Sequence, residues 1–348
     1  MKYLHNNKIY CDLLLSIVNQ LPFSLITTGD ILVTGASGLI GSAIVDLLLH
    51  LRMNKVINCR IIASGRNRER LSKRWNEQEW LQFADYYALL NGNGWETVKN
   101  VVLAASPASP DLFVRFPEDV IKANTTDIET ILRCLQNRQN INAVYVSSSE
   151  VYGDALTPKG GHIEEQLGEI DTSEIRSCYA VSKRKAEEIC KKHAAEGMNV
   201  KIVRPGHIYG PTATPEDRRV SSAWAYDAAK GKDIVMKSDG RQLRSYTHCL
   251  DCATAILTVM AKGKAGEAYN ISNRDSIISI REMAEKLARA GGVEVKTELP
   301  SISERNAFNP MADSSLNAAK LESLGWKGLI SADKGLASTV RILREMMD

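Results

Sequence analysis

Tyr179 and Lys183 have the residue types and the spacing that proton transfer requires. Residues four positions apart on a helix lie on one face, which would make the phenol and the ammonium group neighbours. A nearby cation lowers the pKa of a phenol, so the phenolate can remove a proton from a hydroxyl group. The same spacing is common on ordinary helix surfaces, so the prediction that this pair is catalytic depends on the elements around it.

A glycine-rich segment lies near the start of the chain, between an apolar strand and an apolar-faced helix. It reads Thr-Gly-Ala-Ser-Gly-Leu-Ile-Gly over residues 34–41. Glycines in this context allow a tight turn and a close approach of the backbone to a pyrophosphate, and the helix N-terminus adds partial positive charge. We therefore predict a dinucleotide site in preference to a purely structural turn. The expected binding residues are Gly35, Ser37, Gly38, Leu39, Ile40 and Gly41.

The residues after the second predicted strand bear on which dinucleotide binds. In NAD sites a carboxylate about 20 residues beyond the glycine loop usually binds the ribose hydroxyls. Here residues 63–68 at the end of the second predicted strand contain no acid, and they include Arg66 and Arg68. The arginines could accept the 2′-phosphate of NADP, or they could belong to a solvated basic helix. NAD and NADP both stay open, and Arg66 is a candidate cofactor-binding residue.

Length and composition restrict the class of protein. The chain has 348 residues, of which 44% are hydrophobic and 24% charged, and this ordinary globular composition excludes disordered and fibrous classes. A net charge of +3 gives no indication of nucleic-acid binding. The seven cysteines are scattered, which fits free thiols in a reducing compartment, so we expect a cytoplasmic protein. Cys249 and Cys252 have no second pair or histidine cluster, so no metal site is expected.

The first 29 residues are predicted to be a helical extension outside the main domain. Their apolar run, Leu13 to Val18, is much shorter than the roughly 18 residues needed to cross a bilayer. Asp12 interrupts the apolar pattern and no small-residue cleavage site follows, so an amphipathic helix is favoured over a signal peptide. We therefore expect no membrane association.

From Asp30 onward, short β-rich runs alternate with helical patterns, which predicts an α/β fold with a Rossmann-type, doubly wound parallel sheet. A further strand is expected between Tyr86 and Trp95. After Pro205 the loops lengthen. We therefore predict a dinucleotide-binding domain over 30–205, followed by a smaller, mainly substrate-binding lobe over 206–348. Some strands of the second region can return to the sheet. The predicted strands are Ile31–Thr34, Arg60–Ser64, Asn100–Ala105, Ala143–Ser147 and Lys201–Arg204, and the main predicted helices are Leu39–Leu51, Asp119–Gln136 and Ser177–His193.

The strand before the Tyr–Lys pair ends in Ser147-Ser148-Ser149-Glu150-Val151-Tyr152-Gly153. With this segment the chain resembles the extended short-chain dehydrogenase/reductases (the NAD-dependent epimerase/dehydratase family) that act on nucleotide sugars. The resemblance runs from about Asp30 to the C-terminus. Within that superfamily the chain is most similar to the UDP-glucuronate decarboxylases, also called UDP-xylose synthases. The segments that carry this similarity are residues 104–110, 147–153, 176–179, 219–222 and 240–246.

The resemblance implies roles for the reacting residues. Ser148 matches a catalytic serine or threonine that hydrogen-bonds the 4-hydroxyl of the sugar, and Tyr179 with Lys183 matches the base. In 4,6-dehydratases an aspartate next to a glutamate supplies the acid and the base that dehydration needs. Here Ser149 replaces that aspartate and only the glutamate, Glu150, is present, which argues against dehydration. The implied reaction oxidises C4 of UDP-glucuronate, releases carbon dioxide and reduces C4 again to give UDP-xylose, with the nicotinamide cofactor recycled.

The same resemblance implies further contacts. Arg244 matches a position that usually contacts the diphosphate and in related decarboxylases is a candidate proton donor. Because an arginine is nearly always charged, the phosphate contact is the easier role, and a surface salt bridge is the alternative. Asn124 matches an asparagine near the substrate or in helix packing, and His207 replaces a substrate-contacting asparagine, which leaves the exact sugar open. The remaining positions are Ala104 and Ala105 for the cofactor and Ser106 for the substrate.

Two other functions stay open. One is a 4-epimerase, 4,6-dehydratase or 4-ketoreductase acting on a similar nucleotide sugar, and Glu150 discriminates because epimerases do not need it. The other is a cofactor-binding regulator without catalysis, which would be expected to lose Tyr179 or Lys183. The resemblance also implies a homodimer through a four-helix bundle, formed by Asp119–Gln136 and Ser177–His193 of each chain.

Overall fold

The computed structural model describes residues 4–18, 29–300 and 311–347. The strands in these ranges are β1 Asp30–Thr34, β2 Ile61–Gly65, β3 Leu81–Asp85, β4 Val98–Leu103, β5 Asn142–Val146, β6 Asn199–Pro205, β7 His207–Tyr209, β8 Ile234–Met236, β9 Leu243–His248, β10 Ala268–Ile271, β11 Ile277–Ser279, β12 Val295–Thr297 and β13 Asp313–Ser314. The helices are α1 Lys8–Val18, α2 Leu39–Met53, α3 Arg68–Ser72, α4 Tyr86–Leu90, α5 Pro110–Arg115, α6 Pro117–Asn124, α7 Thr126–Gln136, α8 Cys178–Ala195, α9 Val220–Ala229, α10 Cys249–Lys262, α11 Ile280–Gly291, α12 Ala319–Glu322 and α13 Ala332–Met347.

Seven parallel strands form the central sheet, in the order β10-β6-β5-β4-β1-β2-β3. Every residue of β1 and β2 is buried, which explains their continuous apolar runs, because helices cover both faces of a parallel sheet. The predicted doubly wound sheet is confirmed, and the five predicted strands agree with the observed ones to within two residues at each end. The strand order reverses between β1 and β4, where open α/β sheets bind ligands at the carboxyl ends of the strands.

Two local predictions differ from the structure. The strand expected between Tyr86 and Trp95 lies earlier, as β3, and Tyr86 instead begins α4 because the Asp85 carboxylate caps that helix by accepting the Ala88 N–H. The helix predicted over 119–136 is divided into α6 and α7 at Thr125, whose backbone φ and ψ are −116° and −76°. These changes do not alter the sheet.

Helices pack on both faces of the sheet. One hydrophobic cluster joins α1, α2 and α10 to the sheet, and a second joins α4, α7 and α8 to its other face. Polar contacts also attach the N-terminal helix to the domain: the Tyr10 hydroxyl donates to the buried Asp46 carboxylate at 2.9 Å, and the Trp75 indole donates to the same carboxylate at 2.8 Å. Within the three described ranges, no helix has the length and apolar character needed to span a bilayer.

The C-terminal part of the chain is shared between the sheet and a smaller lobe. β10 lies beyond residue 205 but joins the edge of the central sheet next to β6. The lobe contains a four-stranded sheet of β7, β9, β11 and β13 and a parallel pair of β8 with β12. Its core is formed by α9, α11 and α13. Because β7 begins two residues after β6 ends, the lobe starts directly at the carboxyl edge of the sheet.

Candidate active site

The glycine loop folds so tightly that side chains are excluded from it. Gly35 has a φ of +66°, and a Cβ atom there would lie 2.6 Å from the Ala104 carbonyl oxygen. A Cβ atom on Gly41 would lie 2.3 Å from the Gly35 carbonyl oxygen. Gly38 precedes the first turn of α2 and is exposed. The loop therefore presents bare backbone and a helix N-terminus, which fit the pyrophosphate of a dinucleotide.

The strand ends around this loop are joined by hydrogen bonds. The backbone N–H groups of Ala104 and Ala105 donate to the Thr34 hydroxyl at 3.0 and 3.2 Å, which links the residues after β4 to the end of β1. Other predicted cofactor residues lie near the same strand ends, with Ser37 half-buried in the loop, Leu39 and Ile40 in the first turn of α2, and Arg66 exposed after β2. The structure thus places the predicted cofactor residues along the edge where ligands of this fold bind.

The Ser64 hydroxyl is a polar group without a partner at this edge. Ser64 is completely buried at the end of β2, and its Oγ atom has no hydrogen bond within the described part of the chain. The Ala36 N–H donates to the Ser64 carbonyl oxygen at 3.0 Å, so the tip of β2 is attached directly to the glycine loop.

Tyr179 and Lys183 lie in the first two turns of α8 and are both buried. The Lys183 ammonium donates to the Val146 carbonyl oxygen at 2.8 Å and lies 5.7 Å from the centroid of the Tyr179 ring. Burial lowers the pKa of Lys183 to about 7, although the Glu187 carboxylate acts in the opposite direction. The helix thus positions the pair as its spacing predicted.

The surroundings of the Tyr179 phenol change its pKa. Burial raises it well above its ordinary value, and the nearby Glu150 carboxylate raises it further. A hydrogen bond with Ser148 and the charge of Arg219 lower it, but they do not outweigh burial. In the protein without a bound cofactor, desolvation of the phenolate is therefore the largest effect on the pKa of Tyr179.

The end of β5 brings the predicted serines to Tyr179. Residues 149–152 form one turn of 3₁₀ helix, and the Ser148 hydroxyl accepts the Glu150 N–H at 3.2 Å. Ser148 also hydrogen-bonds Tyr179, whereas Ser149 is buried beside it. The Phe113 ring stacks on the Tyr179 ring with centroids 4.2 Å apart. The serine, the phenol and the ammonium group therefore form one cluster.

Glu150 faces an arginine to which the sequence analysis gave no separate role. Arg176 Nη2 lies 3.4 Å from both carboxylate oxygens of Glu150. Burial raises the pKa of Glu150, and the charges of Arg176 and then Arg244 oppose that rise. The Arg176 Nε atom is buried without a hydrogen-bond partner in the described residues. The sequence offered one indication that Arg176 belongs to the site, which is its position three residues before Tyr179. The chain runs from residue 176 directly into α8, which carries Tyr179.

Arg244 and His207 lie in the same region. Arg244 is only 2% exposed and donates to the Leu243 and Met311 carbonyl oxygens, each at 2.8 Å, so the surface salt bridge is excluded. Burial, followed by the charges of Arg244 and Arg219, lowers the pKa of His207 to about 3. The His207 imidazole is therefore neutral at physiological pH, and its buried Nδ1 atom has no partner in the described residues. Arg219 is a second arginine to which the sequence analysis gave no role.

Asn124 and Ser106 have different surroundings. Asn124 is completely buried, donates to the Ser182 hydroxyl at 3.1 Å and accepts from the Tyr145 hydroxyl at 3.4 Å. These bonds link α6 to α8 and to β5, and they favour the packing alternative over a contact with substrate. Ser106 is half-buried beyond β4, where its hydroxyl donates to the Pro107 carbonyl oxygen at 3.2 Å.

The two cysteines with a short spacing do not form a reactive site. Cys249 and Cys252 are free, completely buried thiols in the first turn of α10. Burial raises the pKa of both thiols, which keeps them protonated and poorly nucleophilic.

Comparisons with known proteins show the family to which the chain is similar. Residues 31–272 match the model of the NAD dependent epimerase/dehydratase family. The chain is 27% identical over 326 residues to UDP-glucuronic acid decarboxylase 1 of Xenopus tropicalis, which covers 91% of this chain and 73% of the relative. It is 28% identical over 313 residues to UDP-glucuronic acid decarboxylase 6 of Arabidopsis thaliana, which covers 88% of this chain and 86% of the relative.

A solved structure has the same architecture. The dTDP-glucose 4,6-dehydratase DesIV of Streptomyces venezuelae, crystallised with NAD, matches with a TM-score of 0.76 at 26% identity, over 91% of this chain and 97% of that one. The family model, which matches residues 31–272, covers well over half of the chain. The chain therefore belongs to the NAD dependent epimerase/dehydratase family.

Proposed function

We propose that the protein is a nucleotide-sugar decarboxylase that converts UDP-glucuronate to UDP-xylose. One observation carries this proposal: the Glu150 carboxylate faces Arg176 and lies near Ser148 and Tyr179. The residue before it in the sequence is Ser149, so Glu150 has no second carboxylate next to it in the sequence. Elimination of water would need an acid and a base at this point. The names of the relatives from Xenopus and Arabidopsis support the same reaction.

The edge of the sheet has the groups that a nicotinamide cofactor requires. The glycine loop and the start of α2 would hold its pyrophosphate, and Ala104, Ala105 and Lys183 would line its nicotinamide side. The dehydratase structure, which was determined with NAD, supports a cofactor of this class. When bound, the cofactor supplies a reversible two-electron oxidation at C4 of the sugar.

Proton transfer at C4 is assigned to Tyr179. Ser148 hydrogen-bonds the phenol, and we assign it the orientation of the sugar hydroxyl. Tyr179 removes the hydroxyl proton as C4 is oxidised and returns it as C4 is reduced. The Lys183 side chain lies 5.7 Å from the centroid of the Tyr179 ring, and in its protonated form it favours the phenolate that acts as base. One tyrosine therefore serves both steps.

Loss of carbon dioxide follows from the 4-keto group. The carboxylate at C6 is then β to a carbonyl, so the C5–C6 bond breaks, its electron pair enters the carbonyl as an enolate, and carbon dioxide leaves. Arg176 supplies positive charge for the carboxylate and the enolate. Glu150 is assigned the return of a proton to C5, because it is the carboxyl group that lies near Tyr179 and Arg176. The proposed substrate contacts are Ser106, His207 and Arg244.

His207 is the observation that favours a second candidate. It replaces the asparagine expected in a decarboxylase, and its neutral ring offers different hydrogen bonds to the sugar. A 4-epimerase, 4,6-dehydratase or 4-ketoreductase acting on another nucleotide sugar is therefore the alternative. An epimerase or ketoreductase would not need Glu150.

The decisive experiment is incubation of the purified protein with UDP-glucuronate, followed by mass spectrometry and proton NMR of the sugar nucleotide. We expect loss of carbon dioxide and formation of UDP-xylose, with no product from a Tyr179→Phe control. Accumulation of a 4-keto pentose would show oxidation and decarboxylation without the final reduction, and would refute UDP-xylose as the product. If UDP-glucuronate is unchanged while UDP- or dTDP-hexoses react, the second candidate is correct.

A further inference from the structure

The tip of β2 lies against the glycine loop. The Ala36 N–H donates to the Ser64 carbonyl oxygen, and a Cβ atom built on Gly65 would lie 3.8 Å from Ser37 Oγ. Arg66 is the first exposed residue after this strand. In dinucleotide-binding sheets the group at this position meets the ribose of the adenosine half, and its charge decides between NAD and NADP.

The nearby carboxylates are already engaged. Asp85 aligns with Gly65 across the β2–β3 ladder, but its carboxylate caps α4 by accepting the Ala88 N–H at 2.9 Å. Asp127 accepts the Tyr86 hydroxyl at 3.2 Å and is partly desolvated, since burial raises its pKa. Neither Asp85 nor Asp127 therefore offers a free carboxylate at the end of β2 to the two ribose hydroxyls of NAD.

The two candidate arginines differ in their contacts. Arg68 forms an ion pair with Glu77, and its guanidinium lies 5.6 Å from the centroid of the Phe83 ring. Arg66 makes no hydrogen bond or ion pair with the described residues, although its charge acts at longer range on Asp127. Two further cations of this segment also have partners: Lys73 pairs with Glu69, and Arg74 donates to the Thr212 carbonyl oxygen.

We propose that Arg66 binds the 2′-phosphate of NADP and that the protein prefers NADP to NAD. An exposed guanidinium at the end of β2 that has no ion pair with the described residues attracts a phosphate dianion through charge-assisted hydrogen bonds. The same cation gives no advantage to the neutral diol of NAD. The inference rests on the nicotinamide cofactor of the proposed function but is independent of the sugar, because the adenosine half of the cofactor does not take part in the chemistry.

A competition experiment on the purified holoenzyme tests the preference without measuring activity. The protein is equilibrated with equal concentrations of NADP⁺ and NAD⁺ and rapidly desalted, and the dinucleotide released on denaturation is quantified by liquid chromatography and mass spectrometry. We expect at least about tenfold more NADP⁺, which corresponds to about 1.4 kcal/mol. Equal amounts, or an excess of NAD⁺, would overturn the proposal whatever the outcome of the decarboxylase assay.

Variants assign the preference to one side chain. Arg66→Ala is expected to reduce the ratio of bound NADP⁺ to NAD⁺ to within about twofold of unity, because the phosphate then loses its charge-assisted contact. Arg70→Ala is the matched control, because Arg70 is also exposed and its substitution removes the same charge from the neighbouring helix α3. Loss of the preference in Arg70→Ala or Arg68→Ala, with Arg66→Ala unchanged, would refute the assignment to Arg66. Circular dichroism of each variant verifies folding.

Discussion

At the scale of single residues, Glu150 separates the proposed chemistry from its alternatives. The residue faces Arg176 and lies near Tyr179, and its environment shifts its pKa upward. A carboxyl group with these properties suits delivery of a proton to C5 after carbon dioxide leaves. Neither the phenol nor the serine needs it for oxidation at C4.

Glu150→Gln is therefore expected to reduce UDP-xylose formation about 100-fold or more, the usual effect of removing a proton-transfer group. Product analysis by NMR and thermal unfolding should show lost turnover with little change in stability. Glu174→Gln, which alters an exposed glutamate before α8, is the control and should keep full activity. Unchanged decarboxylation by Glu150→Gln would contradict the proton-transfer role.

Lys183 makes the stability of the protein depend on pH. Its pKa is lowered from 10.5 to about 7 by burial, so between these values the native state is deprotonated there while the unfolded state is protonated. Stability rises with pH where the unfolded state binds more protons, so this contribution is complete above pH 10.5 and is lost as the pH falls through 7. Lys183→Met should reduce the gain in unfolding free energy between pH 7 and 9.

Urea unfolding at the two pH values measures this effect without added cofactor. Lys185→Met is the control, because Lys185 is exposed and pairs with Glu188 on the outer face of α8. It should show the same pH dependence as the unaltered protein. If Lys183→Met also retains the full dependence, Lys183 is protonated in the native state throughout this range.

At the scale of elements, the link between β1 and α2 depends on backbone contact. A Cβ atom on Gly41 would meet the Gly35 carbonyl oxygen at 2.3 Å, whereas one on Gly38 would lie 3.2 Å from the same atom. Gly41→Ala must therefore displace the loop, and Gly38→Ala requires only a small adjustment. The two substitutions add the same methyl group to the same loop, so they form a matched pair.

We expect Gly41→Ala to weaken dinucleotide binding at least about tenfold, because the loop can no longer approach the pyrophosphate closely. Gly38→Ala should weaken binding less. Isothermal titration with NADP⁺ and NAD⁺ measures both variants. Binding by Gly41→Ala as tight as that of the unaltered protein would contradict a role for this loop in holding the pyrophosphate.

At the scale of the whole molecule, α6 and α8 pack against each other and carry exposed apolar side chains. Ile121 on α6 and Val181 on α8 are 43% and 40% exposed, and Phe116, directly before α6, is 47% exposed. Apolar groups concentrated on adjacent helices favour association with another protein surface. We propose that these helices join a second copy of the chain, and that the protein is a homodimer through a four-helix bundle.

Ile121→Glu with Val181→Glu should convert the dimer to a monomer, because the substitutions would bury like charges across a symmetric interface. Light scattering after size-exclusion chromatography measures the mass. Val220→Glu, at an exposed apolar position of α9 in the smaller lobe, is the control and should remain dimeric. A monomeric unaltered protein, or a double variant that stays dimeric, would contradict this interface.

The sequence by itself determined the features that depend on short spacings. Continuous apolar runs predicted the buried parallel strands, the glycines of residues 35–41 predicted the tight loop, and a four-residue spacing placed Tyr179 and Lys183 on one helix face. Each of these patterns is produced by local backbone geometry, in which the period of a helix or strand directly relates position to direction. They could therefore be predicted without knowledge of the packing.

Only the tertiary structure decided which distant groups meet. It placed Arg176 against Glu150, buried Arg244 among backbone carbonyls, and left Arg66 unpaired while Arg68 binds Glu77. It also buried Tyr179, which raises the pKa of the phenol in the protein without a bound cofactor. These outcomes depend on desolvation and on contacts between residues far apart in the chain, which are set by how the helices and the smaller lobe pack on the sheet.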